Sequence, residues 1–220
     1  MSFITSYCHI SNDSCSVNGK TFLSKKETDG DWLKQLYKKL EIDYPKFYKM
    51  DALSKVAFIG SELIKKNHKT LFREMTSLPF GEGQEGEVYN DNDIALIFSN
   101  RNSSADTDVK FNNSYTKEAL PSPALFVYTL PNILIGEIAI RNQWYGENLF
   151  FIAPEFNAAF FQQYIEILLN KNSKACLCGW VEVLENNIDA FLFFIEESDN
   201  GEMNLPFTSK ILANLYKGIN

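Results

Sequence analysis

Short apolar runs set between stretches of helical spacing limit this chain more than any other feature. Ile94–Phe98 is apolar without a break, and Leu149–Ile152 repeats the pattern. Ala190–Ile195 and, apart from Gly179 and Glu182, Ala175–Val183 read as further strands, and residues 2–10 read as a strand opening the fold. A strand apolar on both faces must be covered on both, as in sheets sandwiched by helices. The intervening segments supply those helices. Asp31 is placed to cap one, with Leu33, Leu36, Tyr37 and Leu40 on one face and Pro45 ending it. Asp51 is placed to cap another, with Leu53, Val56, Ala57, Gly60, Leu63 and Ile64 in one stripe. Strands alternating with helices predict an α/β fold with a mostly parallel sheet of five strands.

Other segments read less regularly. Residues 11–30 and 77–92 are polar and predict loops, and residues 99–116 hold at most a short helix. A helix is expected from about Asn132 to Trp144, and a last one is opened by Asn204 and Pro206 and closed by Gly218. The segment FNAAFFQQYIEILL, from Phe156 to Leu169, carries apolar residues on nearly every side. A helix apolar all round is buried all round. Gln162, Gln163 and Glu166 bar it from a membrane, so it is expected between two layers.

Composition narrows the function classes. A chain of 220 residues buries a substantial core. The net charge of −7 argues against a nucleic-acid footprint and against anionic membrane surfaces. The lysines at 34, 38 and 39 and at 65, 66 and 69 read as solvated helix faces rather than a docking patch. MSFITSYCHIS has no export signal, and the longest apolar stretch, Ala124–Gly136, is broken by Pro131 and Asn132. A cytoplasmic protein is expected, with Cys8, Cys15, Cys176 and Cys178 as reduced thiols. Cys176 and Cys178 have neither redox nor zinc spacing; alternation puts them on one strand face as packing residues.

Gly81, Gly83 and Gly86 spell G-x-G-x-x-G, but no strand precedes them and Glu82 and Glu85 repel phosphate, so a loop is the plainer reading. His9 and His68 sit in no recognisable catalytic motif and read as structural or surface residues. Glu196 and Glu197, and Asp91 and Asp93, read as solvated loop charges. No cofactor or metal is called for.

One stretch carries a resemblance. LPSPALFVYTLPNILIGEIAIRNQWYGENLFFIAP is followed by a helix and then by ACLCGWVEV. This resembles the condensing-enzyme pattern of β-ketoacyl synthases: a Ser-Pro turn, an Asn opening a helix, two glycines, a buried strand, the nucleophile, a buried helix, and a Gly-containing strand with a Glu. The matching residues are Ser122, Pro123, Asn132, Gly136, Gly146, Gly179 and Glu182. The opening strand, YPKFYKMDALSKVAFIGSELI and DAFLFFIEE add weaker similarity to the family's N-terminal half.

The resemblance implies one domain over 1–220, shaped as the N-terminal half of a thiolase-like fold, with the family's second half absent. The sheet is then mixed, mostly parallel and five-stranded, with helices on both faces. In the family, a cysteine where the buried strand meets the buried helix takes the acyl group from a carrier protein; a helix N-terminus favours its thiolate. The equivalent position here is Pro154 or Glu155, with the register between them open. Proline has no nucleophile, and a glutamate near a helix end reads as structural, worth up to about 1 kcal/mol. The family's catalytic histidines lie in the second half, so no catalytic residue is nominated.

The implied protein is not an enzyme on its own. It is a partner subunit in fatty-acid, polyketide or aryl-polyene assembly, like the cysteine-less chain-length factors. It pairs with an active ketosynthase or a second copy, with an acyl carrier protein as a further partner. Two alternatives stand beside it: an acyltransferase or ketosynthase component completed by another chain, and a binding module for an acyl chain or pantetheine arm.

Overall fold

The computed structural model describes residues 1–25, 30–68, 71, 89–117, 120–185, 187–197 and 203–219. The strands are β1 (Phe3–Ser11), β2 (Ser14–Val17), β3 (Lys20–Ser24), β4 (Ile94–Asn100), β5 (Asn148–Ile152), β6 (Ala175–Leu184), β7 (Asn187–Glu196) and β8 (Leu205–Pro206). They form one eight-stranded sheet ordered β3-β2-β1-β7-β6-β4-β5, with β8 on β1. The helices are α1 (Trp32–Lys39), α2 (Ala52–Lys66), α3 (Ala105–Thr116), α4 (Pro123–Val127), α5 (Ile133–Asn142), α6 (Ala158–Leu169) and α7 (Ser209–Tyr216).

The five strands read from the apolar runs are β1, β4, β5, β6 and β7, which form the centre and one edge of the sheet. Four of them share a direction and β7 runs against them. The expected sheet was nevertheless too small and too parallel. Among the described pairings only β4–β5 and β4–β6 are parallel. The additional strands are short and antiparallel. β2 and β3 fall in the segment read as a loop, joined by a tight turn in which Asn18 (φ 49°) and Gly19 (φ 76°) are both left-handed. Asn-Gly is the dipeptide such a turn prefers. β8 takes Leu205 and Pro206, so the last helix starts later than expected, at Ser209, where the Thr208 hydroxyl accepts from the Ile211 N–H.

Strand alternation divides the core in two. β4 is buried throughout. Its Ile94, Leu96 and Phe98 join α2 and α5 on one face, whereas Ala95 and Ile97 join α6 and α7 on the other. Asp31 and Asp51 cap α1 and α2 as expected, accepting from the Lys34 and Ser54 N–H groups. Cys176 and Cys178 share the α6 face, fully buried.

α6 is the clearest departure. It buries Ala158, Phe161, Ile165 and Leu168 against the sheet. Its outer line, Ala159, Gln163, Glu166 and Asn170, is exposed, and no second layer covers it among the described residues. Phe160 and Tyr164 looked like a further apolar side. They stack on each other at the flank of the helix, Phe160 also meeting Phe151 of β5 at 4.3 Å. The glycines at 81, 83 and 86 lie outside the described residues.

Candidate functional site

The site is built where β4 and β5, running parallel, deliver their C-terminal ends beside one another. β5 ends at Ile152, the chain turns over Ala153–Asn157, and α6 begins at Ala158. The Asn157 side chain accepts from the Phe160 N–H at 2.9 Å and caps the helix. Pro154 and Glu155 therefore sit in the turn before the cap.

Neighbouring strands fix that turn. The Ala153 N–H donates to Asn100 O at 2.9 Å, and Arg101 Nε donates to Pro154 O at 2.5 Å. Glu182, on β6, holds the loop after β4: its carboxylate accepts from the Arg101 N–H (2.7 Å), the Asn102 N–H (3.2 Å) and Asn102 Nδ2 (2.9 Å). A carboxylate receiving three donors is a stable anchor for irregular backbone.

Beside the turn opens a cleft of about 470 Å³, walled by Glu155, Phe156, Trp180, Glu182 and Tyr216. Asp189 joins two of the walls, accepting from Tyr216 Oη at 2.7 Å and Trp180 Nε1 at 3.1 Å. Burial and the Asp189 carboxylate push the Tyr216 phenol well above its ordinary pKa, so it stays a neutral donor.

No thiol reaches this cleft. Cys8, Cys15, Cys176 and Cys178 are all buried in strands. Burial pushes Cys15 up to about 12 and Cys8 and Cys178 well above the normal thiol range. Thiols so placed are inert. Neither histidine reaches it either. His9 packs between Tyr7 and Phe191, its pKa lowered by burial.

His68 is fully buried, with Nε2 2.6 Å from Glu196 Oε1. Tyr89 Oη donates to the other Glu196 oxygen. Glu196 is thus no solvated loop charge, because β7 carries it into the interior. Asp93 is likewise engaged, with Lys174 Nζ at 3.3 Å.

The remaining motif residues lie away from the cleft. Ser122 caps α4, accepting from the Leu125 N–H, with Pro123 in the first turn. Asn132 stands at the start of α5 without a capping side-chain bond, and Gly136 lies inside that helix. Gly146 lies just before β5, where a Cβ would fall 2.4 Å from Ile94 O. Gly179 faces Phe98 and Leu192, leaving no room for a Cβ. Only Glu155 and Glu182 line the cleft. Arg101, Asn102, Trp180, Asp189 and Tyr216 were not read from sequence; they come from separate elements and share no local pattern.

No protein-family model and no curated protein matches the chain. Solved structures do. A chain of the ishigamide ketosynthase/chain length factor superposes with a TM-score of 0.62 at 14% identity, covering 91% of this chain and 63% of its own. The fold is ketosynthase-like. A chain of the type II polyketide synthase complex AntDE:AntF, an acyl-carrier protein with its hexaketide-bound ketosynthase, gives 0.55 at 13% identity, covering 89% and 62%. The ketosynthase ApeO with its chain length factor ApeC from Xenorhabdus doucetiae gives 0.51 at 11%, covering 72% and 62%. The ketosynthase-like chain thus spans about three-fifths of the length of these neighbours. No described helix is long and apolar enough to cross a membrane, and no cluster of three metal-ligating side chains occurs among the described residues.

Proposed function

We propose that this chain is a non-catalytic ketosynthase-like subunit that supports acyl-chain elongation by pairing with an active ketosynthase or with a second copy of itself. The observation that carries the reading is the corner between β5 and α6. It occupies a strand-to-helix junction beside a formed cleft, yet offers only a proline and an exposed glutamate there. We read Pro154 or Glu155 as the degenerate nucleophile position and 1–220 as one ketosynthase N-terminal-like domain. A carboxylate gives an unstable anhydride in place of a thioester.

The surface supports pairing. Among the described residues β5 ends the sheet and pairs with β4 alone, which leaves its other row of backbone groups to take a strand. On α5, Ile140 is 60% exposed, and the Cβ position of Gly136 meets nothing within 4 Å. A glycine there costs the helix about 0.5–1 kcal/mol relative to alanine and serves no contact among the described residues. It leaves space for another backbone to approach. α4 buries none of its residues, and Phe126, Val127 and Leu130 lie exposed around it. Covering the exposed half of each such side chain is worth about 1 kcal/mol. The neighbouring structures described as a ketosynthase with its chain length factor favour a ketosynthase as the partner.

Two measurements decide. The chain is isolated at native expression level and its companions identified; it is also incubated with acyl-carrier-protein thioester and weighed. A co-purifying ketosynthase or a dimer, with no acyl adduct, is the expected outcome. A solitary stable monomer removes the pairing, and a hydroxylamine-labile adduct on Glu155 makes the chain an acyl-transferring component instead.

A further inference from the structure

A second cleft, of about 350 Å³, lies where β1 and the β2–β3 hairpin meet the end of α7. Its polar side chains are Tyr7, His9, Ser16, Tyr216 and Lys217, and Leu215, Gly19 and Gly218 complete the lining. Strand pleating gathers three of them. Tyr7 and His9 are two apart on β1 and share a face, their ring centroids 5.8 Å apart, and Ser16 of β2 is the cross-strand partner of His9. The hairpin turn is tied to the same place. The Asn18 N–H donates to Tyr7 O, and the Asn18 carboxamide accepts from the Tyr7 N–H, both at 2.9 Å.

The Tyr7 side chain is only 4% exposed, yet its hydroxyl has no hydrogen-bond partner among the described residues. A buried phenol normally finds one. A Cβ on Gly19 would fall 3.2 Å from Tyr7 Oη, so the glycine keeps that approach clear. His9 packs on Phe191 at 4.7 Å and directs one ring nitrogen to the Leu215 carbonyl. The last carbonyls of α7 are engaged: those of Ala213, Asn214 and Leu215 accept from the Lys217, Ile219 and Gly218 N–H groups, with Gly218 left-handed at φ 68°. Tyr216 contributes its ring, because its hydroxyl donates to Asp189. The other four polar side chains can each donate a hydrogen bond, and Lys217 adds a positive charge. The neighbouring corner cleft shares Tyr216 and Lys217 but has Glu155, Glu182 and Asp189 in its walls, so an anion is better accommodated here.

We infer that this cleft binds a phosphate group, free or as a small monoester, through Tyr7 Oη, Ser16 Oγ, the second ring nitrogen of His9 and Lys217 Nζ. Four donors from three elements suit an oxyanion with three or four oxygens better than a two-oxygen carboxylate. Hydrogen bonds to a charged acceptor are the stronger kind, and the anion supplies the partner that the Tyr7 hydroxyl lacks. Burial lowers the pKa of His9, and Asp189 opposes that from a distance; a bound anion acts in the same direction as Asp189 and favours the protonated ring. The inference does not rest on the corner at Pro154 or on pairing, since its donors come from β1, β2 and the end of α7.

The test titrates the full chain with inorganic phosphate and, separately, with glycerol 3-phosphate, at constant ionic strength and about pH 6.5, near the ordinary histidine value. Both histidine rings are followed by NMR, with calorimetry alongside. Phosphate is expected to shift the His9 ring saturably and to raise the pH at which it titrates, while His68, buried with Glu196, stays unmoved. Whichever of the two binds more tightly names the source of the phosphate group. Acetate binds at least about five-fold more weakly than either. Tyr7→Phe keeps the ring and removes only the hydroxyl; it weakens binding by about five-fold or more, as does Lys217→Met. Lys210→Met, exposed on α7, leaves binding unchanged. No saturable shift of His9, an equal response to acetate or chloride, or a Tyr7→Phe variant that binds like wild type would each overturn the proposal.

Discussion

Gly136 and Gly146 match the same sequence pattern and meet opposite surroundings. A Cβ on Gly146 would press against the carbonyl oxygens of Ile94 (2.4 Å) and Asn92 (2.9 Å), where backbone has no room to yield. Gly146→Ala is expected to destabilise the chain by about 1–3 kcal/mol in urea unfolding. Gly136→Ala meets no atom and gains helix propensity, so the isolated chain becomes more stable by about 0.5–1 kcal/mol. If that face docks a partner, the same methyl weakens the complex while strengthening the monomer.

With Asp31 and Asp93, Glu196 contributes to the response to acid. Burial alone would raise its pKa, but hydrogen bonds from His68 and Tyr89 prevail and hold it below the ordinary carboxylate value. The folded state then binds fewer protons than the unfolded one around that pH. The contribution is present above the unfolded value of about 4.3 and is lost as pH falls through the lower folded value. Stability measured at stepwise lower pH should fall in this window for the wild type and fall less for Glu196→Gln, which has no charge there to lose.

At the scale of elements, α6 is a helix of two characters. Phe161 is fully buried between Phe151, Phe156 and Phe193. Phe161→Ala should cost about 3–5 kcal/mol by denaturant unfolding. Gln163, on the exposed line, should tolerate alanine within about 0.5 kcal/mol. Equal losses at both positions would mean that a further layer covers the helix. The β2–β3 hairpin makes a related point. Its signal, Asn18-Gly19, lay within a polar segment whose strands are too short and too mixed to register as apolar runs. The Asn18 carboxamide accepts from the Tyr7 N–H at 2.9 Å, which ties the turn back to β1.

At the scale of the whole molecule, the edge strand β5 and the exposed apolar residues of α4 and α5 belong to one prediction. Ile140→Asp and Phe126→Asp should each reduce recovery of the partner severalfold in co-purification, leaving circular dichroism and the unfolding midpoint nearly unchanged. Both side chains are more than half exposed, and the one ring contact given up is that of Phe126 with Phe111 at 5.5 Å, so little internal packing is disturbed. Loss of the fold in either variant, rather than of the partner, would assign these residues to the chain's own core.

The sequence alone determined the five long strands, the caps at Asp31 and Asp51, and the α/β alternation. These depend on local periodicity and on side chains reaching their own backbone. It also located the turn at Pro154 and Glu155 and the absence of a thiol from it. The tertiary structure decided what surrounds that turn. Arg101, Glu182, Asp189 and Tyr216 converge from a loop, two strands and a helix that no spacing connects. Burial of His68 with Glu196, and exposure of one side of α6, were likewise decided there, because a residue's surroundings depend on which elements pack across the sheet.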